Sequence, residues 1–477
     1  MSLSDKKAVR VRFAPAPTGY LHIGNFRTAV FNWLFARHNH GAFLIRVEDT
    51  DTERYQQEYV DAITTSLEWS GFTSDEPIVI QSQRFKEHEK VVAQLLEKGA
   101  AYRCYCTEEE VIARHKKRFG EDNLFIKYDS YCRDRSEHDT SRSFVIRFAL
   151  PQHQDTVSFQ DMIRGTVTFD MDQFDDFIIV RSDGRPIYNL VVVLDDAFMK
   201  ISHVIRGEDH IPNTPKQLFL FQACGYTPPQ YAHLPLILGP SGDKLSKRDG
   251  AVSVVEYKDN GYLPDALINY LVRLGWSHGD QEIFTREELI RYFSLDHVGK
   301  SGSIFDAEKL KWVNSVYIKK YSAQELLDYI TNYCEPDFID RLSAWNEAQV
   351  LFLIGLYKER VHTVRELIDT LIQLHSAPKQ YDAHDCAQWI DGNTSAHLRD
   401  LVQTLENSSD FSLESLSIAL KQWCKDREIK LVTIAQPVRI ALVGKAASPG
   451  VFELLSVLGK QETLSRIQLL LDHIDMK

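Results

Sequence analysis

A chain of 477 residues with 44% apolar residues and a formal charge of −12 has the balance of an ordinary globular protein, and its length exceeds a single core, pointing to three or more domains. No apolar run is long enough to span a membrane, the opening MSLSDKKAVRVRF lacks the apolar stretch of a secretion signal, and seven cysteines in so large a chain suggest no disulfide framework, so a cytoplasmic protein without a membrane partner is expected. The acidic balance neither marks nor excludes nucleic-acid binding, which answers to local basic patches.

In chain order, Val9, Val11 and Phe13 alternate with Arg10 and Arg12 as a short strand, and residues 14–21 read as loop. From Asn25, apolar residues at Phe26, Ala29, Val30, Trp33 and Leu34 predict one face of a helix that ends at His38-Asn39-His40-Gly41. AFLIRV, residues 42–47, is a second strand, so a βαβ unit with a parallel sheet is expected, followed by a helix over 53–70. From about 104 to 185 the texture changes to CYC, a charged helix (TEEEVIARHKKRFG) and short alternating segments such as SFVIRFAL, which read as an insertion. FIIVRSDGRPIYNLVVVLDDA carries a hairpin signal, and the first sheet is expected to resume near 187. From about 253 the chain reads as mainly helical.

Two stretches carry chemistry. In VRFAPAPTGYLHIGNFRTAV, residues 11–30, a strand passes through a loop stiffened by Pro15 and Pro17 into a helix. Gly19 and Gly24 permit close approach, and His22 precedes the helix start, so the turn suits either an anion or a plain helix cap with a structural histidine. GPSGDKLSKRDG, residues 239–250, is a glycine-rich loop with Lys244, Lys247 and Arg248. Two lysines three apart suit a polyphosphate, although such a turn is also common as a solvated basic loop.

Together, HIGN and KLSKR resemble the two motifs of class I aminoacyl-tRNA synthetases. FLIRVEDTD, RPIYNLVVVLDD, HVIRGEDHIPNTPKQ and KLSKRDGA narrow the resemblance to bacterial-type glutamyl-tRNA synthetases, and it extends to the C-terminal SPGVFELLSVLGKQETLSRI. The implied fold class is α/β: a Rossmann-type parallel-sheet catalytic domain over 1–103 and 187–252 with an inserted α+β acceptor-stem-binding domain over 104–186. A stem-contact domain over 253–315 and an all-α anticodon-binding region over 316–477, in two subdomains, are expected to follow.

The resemblance implies attack of glutamate on Mg·ATP, then transfer from glutamyl-adenylate to the 2′-hydroxyl of the terminal adenosine of tRNA-Glu. It assigns His22, Lys244 and Lys247 to catalysis and, with Gly24 and Asp209, to ATP. Arg12, Ala14, Ala16, Glu48, Tyr188 and Arg206 fall to glutamate: Arg206 to the γ-carboxylate, Glu48 to the α-ammonium. Asn25 stands where the general motif has a second His. Ala16 stands where the family usually has a Ser bonded to the α-amino group; losing that bond costs about 1.5–3 kcal/mol unless water replaces it, so a weaker affinity for glutamate is expected.

Cys104, Cys106 and Cys132 offer three thiolates to a structural zinc ion, as in some relatives, against the alternative of three free thiols. Asp134 stands at the usual fourth-ligand position, with Tyr128, His115 and His138 as alternatives. Arg360, in KERVHTVREL, is a candidate anticodon contact. A monomer is expected. Charging of tRNA-Gln and a non-catalytic tRNA-binding paralogue remain as alternatives. A glutamyl-queuosine tRNA-Asp synthetase would lack the long helical C-terminus, and glutaminyl-tRNA synthetases have a β-rich anticodon region.

Overall fold

In the computed structural model of the chain, the described residues are 8–51, 53–120, 126–135, 139, 141–152, 154–245 and 252–476. They form two compact units, Met1–Tyr257 with Pro264–Leu310, and Lys258–Leu263 with Lys311–Lys477.

In the first unit, β1 (Arg10–Phe13) pairs in parallel with β2 (Ala42–Val47), from Arg10↔Ala42 to Phe13↔Ile45, and β2 pairs in parallel with β3 (Val79–Ile80). The crossovers are α1 (Ile23–His38) and α2 (Gln57–Trp69), the expected βαβ arrangement. Helix α1 begins at Ile23, directly after His22, and it buries far more than one face: Ile23, Phe26, Arg27 and Ala29 to Ala36 are all enclosed. The cause is packing on two sides, against the sheet and against the helices Pro264–Arg273 and Arg286–Tyr292. Phe31 meets Phe293 edge-on at 5.3 Å, and the Arg27 guanidinium is held by the carbonyls of Leu274 and Pro235.

After α3 (Phe85–Glu97), β4 (Ala101–Cys104), β5 (Val145–Phe148) and the later β8 (Ile178–Val180) make an antiparallel sheet, so the insertion's own sheet begins before residue 104. Between β4 and β5 lies α4 (Glu108–Phe119), whose Thr107 and Glu110 form a reciprocal capping box. The hairpin of β6 (Thr156–Asp161) and β7 (Gly165–Asp170) is also part of the inserted segment, yet β6 adds in parallel to β10 (Gln230–Leu234), which pairs in parallel with β9 (His203–Gly207). The amide of Ser202 donates to the Arg10 carbonyl at 2.9 Å, which brings the start of β9 beside β1.

The turn at residues 181–184 closes only a single bridge, Val180↔Pro186. The apolar run beyond it is α5 (Tyr188–Phe198), not a strand, and the parallel sheet resumes at β9. A short helix buried on most sides gives the same continuous apolar run as a buried strand. It is followed, after β9, by α6 (Thr214–Cys224).

The second unit is helical, as expected. Its long helix Val451–Asp475 is broken at Gly459, where φ is +75°. Fully buried Arg466 donates to the Leu442 and Leu374 carbonyls at 2.7 and 2.8 Å and to Glu462 at 2.7 Å. It thus satisfies carbonyls near the ends of the helices Leu431–Val443 and Val364–His375, which have no partners of their own.

Candidate active site

The opening loop ends on a histidine that caps its own helix. His22 Nδ1 accepts from the amides of Gly24 and Asn25 at 3.1 and 3.4 Å. A Cβ on residue 24 would lie 3.0 Å from the imidazole, so Gly24 is what lets the ring fold back. Two amides expected to be open to an anion are therefore taken by the histidine. Nδ1 must be unprotonated to accept them, which places the proton of the neutral ring on Nε2 as a donor. Desolvation in the cleft and the nearby Lys244 ammonium both push the His22 pKa below its ordinary value, favouring this neutral form.

A second group gathers at the C-terminal ends of β1, β2 and β9. The amide of Glu48, just past β2, donates to the Pro15 carbonyl at 3.0 Å and pins the loop to the sheet. Glu48 Oε1 accepts from Arg46 Nη2 and Nε at 2.9 and 3.2 Å. Among the described residues its second oxygen accepts no bond. Burial raises the Glu48 pKa against the opposing pull of Arg46 and Arg12. Arg46 Nη1 also meets Asp196 Oδ1 at 2.5 Å, and Asp196 holds Arg12 Nε at 3.1 Å. Burial works against the Asp196 charge, but the two guanidiniums outweigh it and hold the carboxyl below its usual range.

Arg206, on β9, has no carboxylate in contact among the described residues. Its donors reach His233 Nε2 (3.1 Å), Gln217 Oε1 (2.9 Å) and Thr214 Oγ1 (2.8 Å). A buried guanidinium served only by neutral acceptors is a site prepared for an anion. Tyr188, at the start of α5, places its hydroxyl 3.0 Å from His210 Nδ1. Burial and Arg206 push His210 down to about 4, so that imidazole is neutral.

Lys244 forms a bridge with Leu238, and Ser253 forms one with His22, so both flanks of the basic loop border the same place. Lys247 and Arg248 lie outside the described residues. Asp209 folds back over Gly207, where a Cβ would stand 2.5 Å from its Oδ1.

One cavity of about 310 Å³ is lined by Arg12, Ala14, Ala16, His22, Gly24, Glu48, Tyr188, Arg206, Asp209 and Lys244. Every described residue singled out in the sequence for ATP or glutamate thus borders a single cleft at the strand ends, where open α/β sheets take ligands. Asp196, Arg46, His210 and His233, which hold these residues, were not singled out. For Arg46 and Asp196 the signal was a charge at an apolar run, AFLIRV and VVVLDD, and for His233 an imidazole within YAHLPLIL, where burial demands a partner; His210, in RGEDHIPN, carried no such signal.

In the inserted segment the sulfurs of Cys104, Cys106 and Cys132 all lie within 4.8 Å of one another, with Cys106 and Cys132 3.5 Å apart. Asp134 is exposed and does not join them, which corrects the expected fourth ligand. The Tyr128 hydroxyl does join, 3.2 Å from Cys104 Sγ. His115 is buried and accepts from the Lys127 amide at Nδ1, outside the group, and His138 lies outside the described residues. Arg114 Nη2 is 3.3 Å from Cys106 Sγ and Arg147 lies over the Tyr128 ring at 3.7 Å. Against burial, hydrogen bonding from Tyr128 and Arg147 holds the Cys104 thiol below its ordinary value, whereas burial and the neighbouring Cys132 push the Cys106 thiol up to about 12.

In the second unit, exposed Arg360 lines a cavity of about 880 Å³ with Tyr357, Lys379, Lys445 and Ser448.

Residues 8–312 match the family described as tRNA synthetases class I (E and Q), catalytic domain, and residues 323–471 match the anticodon binding domain. The glutamate--tRNA ligase of Pelobacter propionicus is 45% identical over 460 residues, covering 96% of this chain and 97% of that protein. That of Geobacter sulfurreducens is 45% identical over 460 residues, covering 96% and 98%. The crystal structure of a glutamate tRNA ligase from Elizabethkingia meningosepticum in complex with its amino acid superposes with a TM-score of 0.85 at 33% identity, covering 98% of this chain and 99% of that one. On this similarity along nearly its whole length, the chain belongs to the glutamate--tRNA ligase family of class I tRNA synthetases.

Proposed function

We propose that the protein joins L-glutamate to tRNA-Glu using ATP, with the cleft of His22, Lys244, Glu48 and Arg206 as its active site. The observation that carries this reading is that His22 and Lys244, 222 residues apart in sequence, border one cavity with Arg12, Glu48, Tyr188 and Arg206. Glutamate's α-carboxylate attacks the α-phosphorus of ATP, which arrives with its Mg²⁺, and pyrophosphate leaves. The 2′-hydroxyl of the terminal adenosine then attacks the acyl carbon and AMP leaves. Both steps need positioning and charge neutralisation more than a strong base. His22 Nε2–H and Lys244, with Lys247 from the basic loop, meet the charge that builds on the leaving pyrophosphate. Arg206 takes the γ-carboxylate, Glu48 and Tyr188 the α-ammonium end, and Arg12 the wall beside them. With tRNA-Glu present, the purified protein should exchange labelled pyrophosphate into ATP only when glutamate is added, and should charge tRNA-Glu ahead of tRNA-Gln. No exchange with intact tRNA would favour a non-catalytic paralogue, and preferential charging of tRNA-Gln would overturn the assignment of tRNA.

Ala16 is exposed on the rim of the cleft. Restoring the hydroxyl with Ala16→Ser is expected to lower the KM for glutamate by about threefold or more. An unchanged or raised KM would contradict this.

The cysteine group fits zinc: three sulfurs and one phenolic oxygen are four donors of suitable kind. Cys104, Cys106, Cys132 and Tyr128 would hold it, and it would tie the segment that follows α4 to the end of β4 as a structural element. Metal analysis should find about one zinc per chain, whereas well under half would favour free thiols.

Arg360, with Lys379 and Lys445 nearby, suits an anticodon nucleotide. Arg360→Ala should raise the KM for tRNA-Glu about tenfold or more while leaving the KM values for ATP and glutamate in place. An unchanged KM for the tRNA would remove the residue from the interface.

A further inference from the structure

Behind the Arg206 guanidinium lies a chain of two further side chains. On β10, His233 lies in register with Arg206 on β9, and both are buried. His233 Nδ1 meets Asp161 Oδ2 at 2.7 Å, and its Nε2 meets Arg206 Nε at 3.1 Å. Asp161 ends β6, the strand that the inserted segment adds to β10, and its Cα partner there is Tyr231. Its carboxylate is itself fixed: Oδ1 accepts from the amides of Ile163 and Arg164 at 2.9 and 2.8 Å, and Oδ2 from the His233 amide at 3.1 Å.

These contacts leave one protonation pattern. A carboxylate can only accept, so the proton of His233 sits on Nδ1 and the Nε2 lone pair faces Arg206. Arg206 Nε–H can only donate. The opposite tautomer, or an imidazolium, would set two donors against each other at 3.1 Å in a buried site. Hydrogen bonding in the folded chain holds Asp161 below its ordinary value despite burial, and burial holds His233 below its own, in keeping with an ionised acid and a neutral ring.

We infer that Asp161 and His233 are positioning residues for glutamate recognition: Asp161 fixes the tautomer of His233, and His233 fixes the plane of the Arg206 guanidinium that receives the γ-carboxylate. The inference rests on the assignment of Arg206 to that carboxylate. It makes the inserted segment, through Asp161, a contributor to amino-acid selection within the catalytic cleft.

The two amides His233→Asn and His233→Gln separate this role from mere packing. Asparagine places its polar atoms near the Nδ1 position and keeps the bond to Asp161 while losing Arg206. Glutamine reaches the Nε2 position and offers Arg206 an oxygen. His233→Asn is expected to raise the KM for glutamate about tenfold or more, with kcat and the KM for ATP little changed, and His233→Gln to recover most of the loss. Asp161→Asn, which turns an amide donor toward His233, should behave like His233→Asn. Equal effects of the two His233 variants, or an unchanged KM in Asp161→Asn, would overturn the relay. Should the variants fail to fold, ¹⁵N NMR of histidine-labelled native protein decides, since His233 must carry its proton on Nδ1 and a proton on Nε2 overturns the inference. Arg206→Lys is the control: if it leaves the KM for glutamate unmoved, the pocket assignment itself fails. If it raises that KM and His233→Asn does not, only the relay fails.

Discussion

Replacing Arg206 by Gln is expected to lower kcat/KM for glutamate about 100- to 1,000-fold while the KM for ATP moves less than about threefold. The guanidinium is buried and, among the described residues, reaches only neutral acceptors, namely a histidine nitrogen, an amide oxygen, a hydroxyl and the His210 carbonyl, so the substrate carboxylate supplies the opposite charge it lacks. Glutamine in its place would leave that carboxylate buried with neutral donors alone, which is costly in a cleft shielded from water. The same change should narrow the preference for glutamate over glutamine, because the charge that separates the two amino acids would no longer meet a cation. Steady-state kinetics with glutamate and ATP varied in turn reads both effects. A parallel fall in every parameter would instead indicate a damaged fold.

Asp196→Asn is expected to cost about 3–5 kcal/mol of stability, because it leaves two buried guanidiniums without their shared anion. Arg46 is fully enclosed and Arg12 nearly so, and both bond to this carboxylate. The loss should extend to function: Arg12 lines the cleft, and Arg46 holds Glu48 at 2.9 Å. The pH dependence has a definite sign. The Asp196 pKa lies below its unfolded value, so its contribution is complete above about pH 4 and fades as pH falls through the folded pKa. Chemical denaturation of the parent and the variant at neutral pH and at progressively lower pH checks this, the difference between them shrinking as acid is added. A variant as stable as the parent at neutral pH would contradict the network.

The cleft-lining residues were legible because short local patterns carry them. His22 and Gly24 sit in one turn, and Lys244 in one loop. The supporting residues were less so, because each is defined by a partner far along the chain. Asp196 meets Arg46 across 150 residues, and Asp161 meets His233 across 72. No local spacing encodes such pairs. What the sequence does show is the penalty they answer: two aspartates at the end of LVVVLDD and an arginine within AFLIRV cannot be buried alone. Reading those as paired would have anticipated the network, though not its members. The strand-like reading of the run that became α5 has a different cause, since an enclosed helix loses the polar face that marks its period. Gly24 was rightly seen as essential to the turn, but for a role next to its neighbour: the space it leaves is occupied by the His22 ring.

The most direct test is a crystal structure with a non-hydrolysable glutamyl-adenylate analogue. The analogue is expected in the cleft between β1 and β9, with its γ-carboxylate on Arg206, its ammonium near Glu48, and its phosphate-equivalent group within reach of His22 Nε2 and Lys244. An analogue bound with its side-chain carboxylate away from Arg206, or seated outside this cleft, would contradict this assignment.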